Sequence, residues 1–424
     1  MKSLQRSRGL LLAALTSVGC FAAQAQEVPP GAFVETLLAI ARESNPDYAS
    51  MRFEAQAALE RVGSAGALPD PKLRVELMDI TMGGEQSPTL WPSEVGATRY
   101  LLMQDLPWFG KRGLKRDIAQ FQAQASEGQV RATWSELAAK IKTTFALRYN
   151  HHRNEELNRE VLDLMVRLEQ IAQSRYANGL ATQQDVIRAQ IEQTNMQTEL
   201  VALEGEGRQI DARLNALMAR PALAPLSAPR RLRPLPTPEQ LDLQALQERL
   251  RTRSPRLFAD ESRIKAAEKS RDLAFKNRYP DVSVGISPTQ TGSSVKDWTL
   301  MVEFSIPLQQ NTRRSEERES QAMLSAAVAR QQASANDLQA ELTESLAGLD
   351  TARRTAALAT TNLLPQAELT FKSALAGYEN GKLDFATLLD AQRQIRQAKL
   401  YQSKAQFEAQ VRLAEIEKLL GDDL

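Results

Sequence analysis

The chain has 424 residues, of which 5% are aromatic and 25% are charged. A large globular core normally contains more aromatic side chains, so this composition favours long helices that bury narrow apolar stripes. The 53 lysines and arginines nearly balance the 52 aspartates and glutamates, which argues against a nucleic acid as partner. Cys20 is the single cysteine, so no disulfide can form within the chain.

Residues 1–25 have the three parts of an export signal peptide. Basic residues precede an apolar run over residues 10–18, and Ala23-Gln24-Ala25 is a suitable cleavage site. Cys20 follows Gly19 directly after the apolar run, so two outcomes remain open: Cys20 is removed with the signal, or it is lipidated. Beyond the signal no run of 18 apolar residues occurs. This excludes a helical membrane span and leaves a closed β-barrel as the way into a membrane.

The sequence repeats itself at an offset of 202 residues. Tyr176-Ala177-Asn178-Gly179 recurs as Tyr378-Glu379-Asn380-Gly381, and Ala189-Gln190 recurs as Ala391-Gln392. An ordered series of such matches indicates a duplicated unit. A proline-rich segment over residues 221–239 separates the copies and favours an extended linker. The sequence therefore predicts repeat 1 over residues 26–220 and repeat 2 over residues 240–424.

Each repeat is predicted to contain a helix, two strands, a long helix, a turn and a last helix. In repeat 1 the helices are expected at residues 31–66, 111–175 and 182–218. The long helix and its copy at residues 313–378 have about 65 residues each, enough for a rod on the order of 100 Å. Pro365 is expected to kink the second rod.

Apolar and polar residues alternate in segments near one end of each rod. Leu73, Val75 and Leu77 alternate with charged residues, and the apolar residues between Trp298 and Ile306 alternate with Thr299, Met301, Glu303 and Ser305. A second pair of segments, around residues 98–106 and 281–286, completes four strands, with a loop expected at residues 288–295. The pattern alone suits a half-buried antiparallel sheet as well as a barrel. Four strands cannot close a barrel, whereas three chains supply twelve.

Several motifs resemble the TolC family of outer-membrane efflux proteins, over nearly the whole mature chain. They are Asn45-Pro46, Leu68-Pro69-Asp70-Pro71, the segment from Gln104 to Arg112 (QDLPWFGKR), and the paired turns at residues 175–179 and 377–381. The resemblance implies a mainly α-helical fold with a small β part. It implies that three chains form a twelve-stranded transmembrane β-barrel on a periplasmic α-helical barrel, in the outer membrane of a Gram-negative bacterium.

The resemblance further implies a passive exit duct that works with a periplasmic adaptor and an inner-membrane pump of the RND type. The segment Leu106–Arg112 resembles members linked to export of cobalt, zinc and cadmium or of copper and silver. Drug efflux and type I secretion are the alternative roles. A periplasmic coiled-coil adaptor or structural protein is the alternative class. No nucleotide loop, spaced histidine pair or nucleophile motif is present, so no enzyme, cofactor or bound metal is expected.

By resemblance, carboxylates beyond the turns narrow the periplasmic end of the pore. Asp185 and Asp390 match these gate positions, whereas Thr387 stands where some relatives have a second aspartate. Tyr176 and Tyr378 are expected to hold the closed gate. The remaining expected gate or adaptor contacts surround the turns: Arg175, Asn178, Gly179, Asn380, Gly381, Lys382 and Asp384. The alternatives are aspartates that only stabilise helix N-termini and tyrosines that only pack at helix ends.

Overall fold

The computed structural model describes residues 29–81 and 88–424. The expected signal peptide and Cys20 lie outside these residues. The described part is mostly helical and contains one four-stranded antiparallel sheet. The prediction of a mainly α-helical fold with long antiparallel hairpins and four strands is thereby confirmed. None of the helices in the described ranges is both long enough and apolar enough to cross a membrane.

The elements of repeat 1 follow the expected order. They are α1 (Val34–Ser44), α2 (Pro46–Ala65), β1 (Lys72–Met78), β2 (Ala97–Leu106), α3 (Lys111–Ala177) and α4 (Gln183–Leu217). Repeat 2 begins with a short 3₁₀ turn at Pro238–Leu241. It continues with α5 (Leu243–Arg253), α6 (Pro255–Lys276), β3 (Asp281–Thr291), β4 (Ser294–Ser305), α7 (Gln310–Leu358), a π-helical turn (Ala359–Leu363), α8 (Leu364–Glu379) and α9 (Phe385–Leu420).

The first helix is not continuous, contrary to the prediction of one helix over residues 31–66. It breaks at Asn45, whose backbone is extended, with φ −69° and ψ 122°. The Asn45 side chain accepts a hydrogen bond from the Tyr48 N–H at 3.0 Å, and Pro46 takes the first helical position. Asparagine at the N-cap followed by proline is a strong start signal, so a new helix begins here.

The two long rods differ in continuity. Helix α3 is one unbroken helix of 67 residues, about 100 Å long at 1.5 Å per residue. In repeat 2 the corresponding rod changes to a π-helical turn at Ala359–Leu363, just before Pro365. The proline ring cannot pack against the carbonyl four residues earlier, and it provides no N–H donor, so the regular hydrogen-bond ladder is interrupted there.

The sheet has the order β1-β2-β3-β4 with antiparallel pairing throughout. The expected loop over residues 288–295 is wrong, because β3 extends to Thr291 and β4 begins at Ser294. Thr291 pairs with Ser294, which leaves a two-residue turn with Gly292 at φ +59°. A positive φ at the first turn residue matches the twist of the strands, and glycine adopts it without strain.

One face of the sheet is apolar and exposed in the single chain. Leu73 pairs with Leu102, Leu102 with Ile286, and Ile286 with Leu300, so one row crosses all four strands. These side chains are between 46% and 72% exposed. The opposite face is polar: the Asp105 carboxylate accepts hydrogen bonds from the Lys72 ammonium and the Ser283 hydroxyl, both at 2.7 Å.

The proline-rich linker crosses the middle of α3. Arg148 donates to the Asp211 carboxylate at 2.6 Å and to the linker carbonyl of Ser227 at 2.6 Å. The buried Lys142 ammonium donates to Glu417 at 2.8 Å. Glu417 also accepts from Arg233 of the linker at 2.9 Å. These buried ion pairs join the linker, α3 and α9, because buried charges require partners.

Candidate functional site

The two turns between long helices have the same backbone. Gly179 and Gly381 have φ +71° and +69°. In the first turn the Gly179 N–H donates to Tyr176 at 3.0 Å and the Leu180 N–H donates to Arg175 at 2.8 Å. In the second, Gly381 donates to Tyr378 at 3.0 Å and Lys382 donates to Gly377 at 2.8 Å. Both are Schellman motifs, which require a left-handed residue and therefore favour glycine.

Asparagine precedes the glycine in both turns for the same local reason. The Asn178 side-chain amide donates to the Ser174 carbonyl at 2.7 Å, and the Asn380 amide donates to the Ala376 carbonyl at 2.8 Å. Each carbonyl also accepts the backbone N–H of the same asparagine, at 3.2 Å and 3.1 Å, so the side chain adds a second hydrogen bond at the helix end. Both asparagines are exposed, and we call the two turns together the tip.

Arg175 joins the two turns. Its guanidinium donates to the Glu379 carbonyl at 2.7 Å and to the Leu180 carbonyl at 3.3 Å. The same group lies over the Tyr378 ring, 5.0 Å from the centroid, in a favourable cation–π position. The repeat equivalent of Arg175 is Gly377, which has no side chain, so the second turn makes no equivalent contact with the Tyr176 ring. The structure therefore brings the predicted residues Arg175 and Tyr378 together.

The two turn tyrosines have different environments. Tyr378 is 2% exposed and its ring lies 5.4 Å from Phe385, whereas Tyr176 is 49% exposed. The Tyr378 hydroxyl is buried and has no hydrogen-bond partner among the described residues. Burial raises the pKa of Tyr378, and the nearby Asp185 charge raises it further. Tyr378 therefore packs within its own chain, and Tyr176 is free to contact another chain.

The expected gate residues Asp185 and Asp390 occupy unlike positions. Asp185 lies in the first turn of α4 and its carboxylate accepts a hydrogen bond from the Thr182 N–H at 3.2 Å. Asp390 lies on α9 with its side chain 69% exposed, 3.8 Å from the Arg393 guanidinium. Arg393 is also paired with Glu192. The structure does not bring the two aspartates of one chain into contact.

The repeat equivalent of Asp185 is Thr387, and the equivalent of Thr182 is Asp384. The start of α9 therefore has the same two residue types in reversed order. The Asp384 carboxylate accepts hydrogen bonds from the Thr387 hydroxyl at 2.5 Å and the Thr387 N–H at 2.9 Å. These bonds, the hydroxyl first, lower the pKa of Asp384, and the charge of Arg188 adds to the effect. The offset of 202 relates both pairs of positions, so this exchange can be seen in the sequence.

The tip therefore presents carboxylates, cations and one exposed aromatic ring. Lys382 and Asp384 are exposed beside the second turn. Within the described ranges no group of three or more histidine, cysteine, aspartate or glutamate side chains is arranged to hold a metal ion. The arrangement of one chain can attract cations and contact a second protein, and its carboxylates are spread over separate helices.

Comparison with known proteins identifies the family. The sequence profile of the outer membrane efflux protein family matches residues 37–220 and 246–422, one match in each repeat. The cobalt-zinc-cadmium resistance protein CzcC of Cupriavidus metallidurans is 23% identical over 373 residues, covering 87% of this chain and 84% of CzcC.

Solved structures have the same fold. CusC, described in terms of transmembrane channel formation, matches with a TM-score of 0.78 at 18% identity over 92% of each chain. The outer membrane protein VceC of Vibrio cholerae matches with a TM-score of 0.77 at 17% identity, over 93% of this chain and all of VceC. Because the profile covers most of both repeats, the chain belongs to the outer membrane efflux protein family, the TolC-type channels of the outer membrane.

Proposed function

We propose that three copies of this chain form the exit duct of a tripartite efflux system that exports heavy-metal cations. In this proposal an inner-membrane pump of the RND type and a periplasmic adaptor deliver the substrate, and the duct is passive. The observation that supports the trimer is that the single chain has two lateral edges, at which strands and helices have no neighbour among the described residues. The substrate class is supported by the likeness to CzcC over most of both chains.

The sheet provides the first pair of edges. Strands β1 and β4 are the outer strands, each paired on one side only. An unpaired, apolar strand edge normally invites pairing with another chain. If β4 of one chain pairs with β1 of the next, three chains close a barrel of twelve strands. The exposed row from Leu73 to Leu300 then faces lipid, and the polar row with Lys72 and Asp105 faces the lumen.

Helix α4 provides a second edge. Ala189, Met196 and Leu203 are buried within the chain. Ile187, Ile191 and Val201 are between 47% and 70% exposed, and at 100° per residue they lie on the opposite face of the helix. A helix with apolar stripes on two opposite faces has a neighbour on each side. Among the described residues, the inner stripe packs chiefly against α3, and Ala189 and Met196 also share a core cluster with α9, whereas the outer stripe is left exposed.

The opposite edge has a matching apolar stripe. Leu358 at the end of α7 is 61% exposed and Leu369 of α8 is 67% exposed. Each lies on the face opposite the residues that pack inside the chain, Leu349 and Ala367. We infer that α4 of one subunit packs against α7 and α8 of the next. Such head-to-tail contacts between unlike surfaces generate closed rings.

The turns are the proposed periplasmic gate and adaptor contact. Three subunits would bring together three copies each of Asp185 and Asp390 and so create a negative field that attracts cations. In this proposal Tyr378 and Arg175 hold the two hairpins of one subunit together. Tyr176, Asn178, Gly179, Asn380, Gly381, Lys382 and Asp384 provide the surface for the neighbouring subunit and the adaptor.

Complementation of a gene deletion tests the assembly and the substrate together. Loss of the gene should sensitise the bacterium to zinc, cobalt or cadmium and leave its tolerance of hydrophobic drugs unchanged. The intact gene should restore tolerance. Ile191→Lys should fail to restore it, because a charge in the apolar stripe blocks trimer formation. Gln197→Lys, at an exposed α4 position outside the stripe, is the matched control and should restore it.

Other results of the gene-deletion experiment would each favour a different role. Sensitivity to drugs alone would favour drug efflux, and loss of a secreted protein would favour type I secretion. Recovery of the protein from the soluble periplasm without detergent would contradict the duct and favour a coiled-coil adaptor. Normal trimers of Ile191→Lys, measured by size-exclusion chromatography of detergent extracts, would contradict the assignment of this α4 stripe.

A further inference from the structure

A basic and aromatic surface lies where the strands join the long helices, and passive export leaves it unexplained. We call it the collar and define it by six residues, which line one open groove: Trp108, Phe109, Phe275, Lys276, Arg278 and Tyr279. The collar lies at the start of α3 and the end of α6. These helices are flanked by α2 and α7 of the same chain, and Arg278 reaches Glu317 near the start of α7. The edge residue proposed on α7, Leu358, lies at the other end of that helix.

The aromatic side chains continue the apolar face of the sheet. Trp108 lies two residues beyond Leu106, which is on the exposed apolar face of β2. Its ring stacks on Tyr279 with centroids 5.5 Å apart and an interplanar angle of 6°. Phe109 is 91% exposed, so its ring is available to a partner outside the chain. Amphipathic rings at the end of a lipid-facing surface are typical of the membrane–water interface.

Positive charge is concentrated next to these rings. The segments 111–117 and 269–281 contain eight lysines and arginines and three aspartates, whereas the whole chain has a net charge of +1. The adjoining first turns of α7, residues 310–319, contain three cations and three glutamates and leave the excess unchanged. Carboxylates of the chain pair with four of these cations, Lys111, Lys269, Arg271 and Arg278. The region nevertheless keeps a net positive charge that can attract an anion.

Lys276 is the clearest case. Its ammonium donates to the Phe109 carbonyl at 3.2 Å and lies so close to Gly110 that an added Cβ there would be 2.7 Å away. Asp272, one helical turn before Lys276 in the same groove, pairs with Arg271 instead, so no ion pair holds Lys276 among the described residues. Arg278 is paired with Glu317, but its side chain remains 47% exposed and its guanidinium lies 5.3 Å above the Phe275 ring.

We propose that the collar binds the phosphate of an anionic glycerophospholipid in the periplasmic leaflet of the outer membrane. The Lys276 and Arg278 cations contact the phosphate, while Trp108, Phe109 and Tyr279 pack against the glycerol and the first carbons of the acyl chains. A lipid is favoured over a protein partner because the collar is continuous with the apolar face of the sheet. This inference rests on the proposed function, since it requires the sheet to lie in the membrane.

Native mass spectrometry of the purified full-length protein tests the proposal. The protein is equilibrated with equal amounts of phosphatidylglycerol and phosphatidylcholine in detergent, and the bound lipids are counted. The wild type should prefer phosphatidylglycerol. Lys276→Gln combined with Arg278→Gln should reduce this preference about tenfold, because each cation near a lipid headgroup contributes a several-fold preference for an anionic lipid.

Two variants make the test specific. Arg251→Gln combined with Arg354→Gln removes the same charge from side chains that are 76% and 78% exposed on α5 and α7, and the preference should persist. Lys276→Arg combined with Arg278→Lys keeps the charge and should keep the preference even if it alters packing.

The proposal is overturned by equal binding of the two lipids to the wild type, or by an unchanged preference in the double glutamine variant. It is also overturned if millimolar inorganic phosphate abolishes the preference, since the collar would then bind a free anion. Trimer formation is measured on the same samples. It reports on the proposed function separately, because a wild-type monomer would contradict the duct whatever lipid it binds.

Discussion

The two turns share one backbone and differ in what surrounds them. Both have the Schellman motif with Asn-Gly at its centre, yet Tyr378 is buried and Tyr176 is half exposed. Arg175 contributes to this difference, because it reaches from the first turn over the Tyr378 ring, whereas its repeat equivalent Gly377 has no side chain to cover Tyr176. The two repeats therefore share the local backbone conformation and differ in one side chain, because arginine in the first turn contacts the second turn and glycine stands at the equivalent position.

This difference suggests a division of labour at the tip. The second turn is held to its own chain through Arg175, Tyr378 and Phe385. The first turn leaves an aromatic ring exposed, as a contact to another chain requires. Arg175 links the two turns, so we expect the proposed gate to open only when the Arg175 contacts are lost. The following variants test this comparison, ordered from the largest expected effect to the smallest.

Truncation of the tyrosines should give the largest contrast. Tyr378→Ala should lower the free energy of unfolding by about 3–5 kcal/mol, as removal of a buried aromatic ring leaves a cavity. Tyr176→Ala should change it by only about 0.5 kcal/mol, since an exposed side chain loses few contacts. Thermal unfolding of purified protein, followed by circular dichroism, measures both. Equal effects would show that the first tyrosine is also buried in the assembly.

Removal of Arg175 should have an intermediate effect. Arg175→Ala loses two hydrogen bonds to backbone carbonyls and the cation–π contact, which together contribute about 1–3 kcal/mol. The two hairpins should separate more easily, and conductance in planar bilayers should increase. Arg175→Lys keeps the charge and should restore part of the closed state. Unchanged conductance in Arg175→Ala would contradict its role in joining the turns.

Glycine substitutions should affect both turns by similar amounts. Gly179→Ala and Gly381→Ala each place a β-carbon at a left-handed φ, at a cost of about 1 kcal/mol. Gly381→Ala should be slightly worse, because its new Cβ would lie 3.3 Å from the Arg175 guanidinium, while Gly179 has open space. Unfolding curves compare the pair. Asparagine at either position tolerates this conformation better and provides the control.

The smallest expected effect concerns pH. The pKa of Asp384 is lowered, so its stabilisation is present above its ordinary value of 3.8 and is lost as pH falls through the lowered pKa. Thr387→Val removes the hydroxyl that contributes most, and should move this loss of stability to higher pH. Thr182→Val, in the other repeat, should leave it in place. The melting temperatures of the wild type and both variants are compared between about pH 2 and pH 5, a range that brackets the ordinary pKa of a carboxyl group.

Much of the fold was predictable because it depends on local patterns. The long helices lack interior proline up to Pro365, and their ends are given by Asn-Gly pairs. The strands follow from period-2 alternation. The break at Asn45 was missed because both flanking segments are good helices, so only the cap geometry separates them. The hairpin at Gly292 was missed because a two-residue turn was hidden within a polar segment.

The sequence by itself determined the duplication, the export signal pattern, the rods and the two turns, because each depends on neighbouring residues or on comparison of the chain with itself. Only the tertiary structure decided which turn tyrosine is buried, how Asp185 and Asp390 differ, and where the linker attaches. These features arise between residues up to 281 positions apart, such as Lys142 and Asp423. Such contacts depend on how helices pack, and a local pattern does not contain that information.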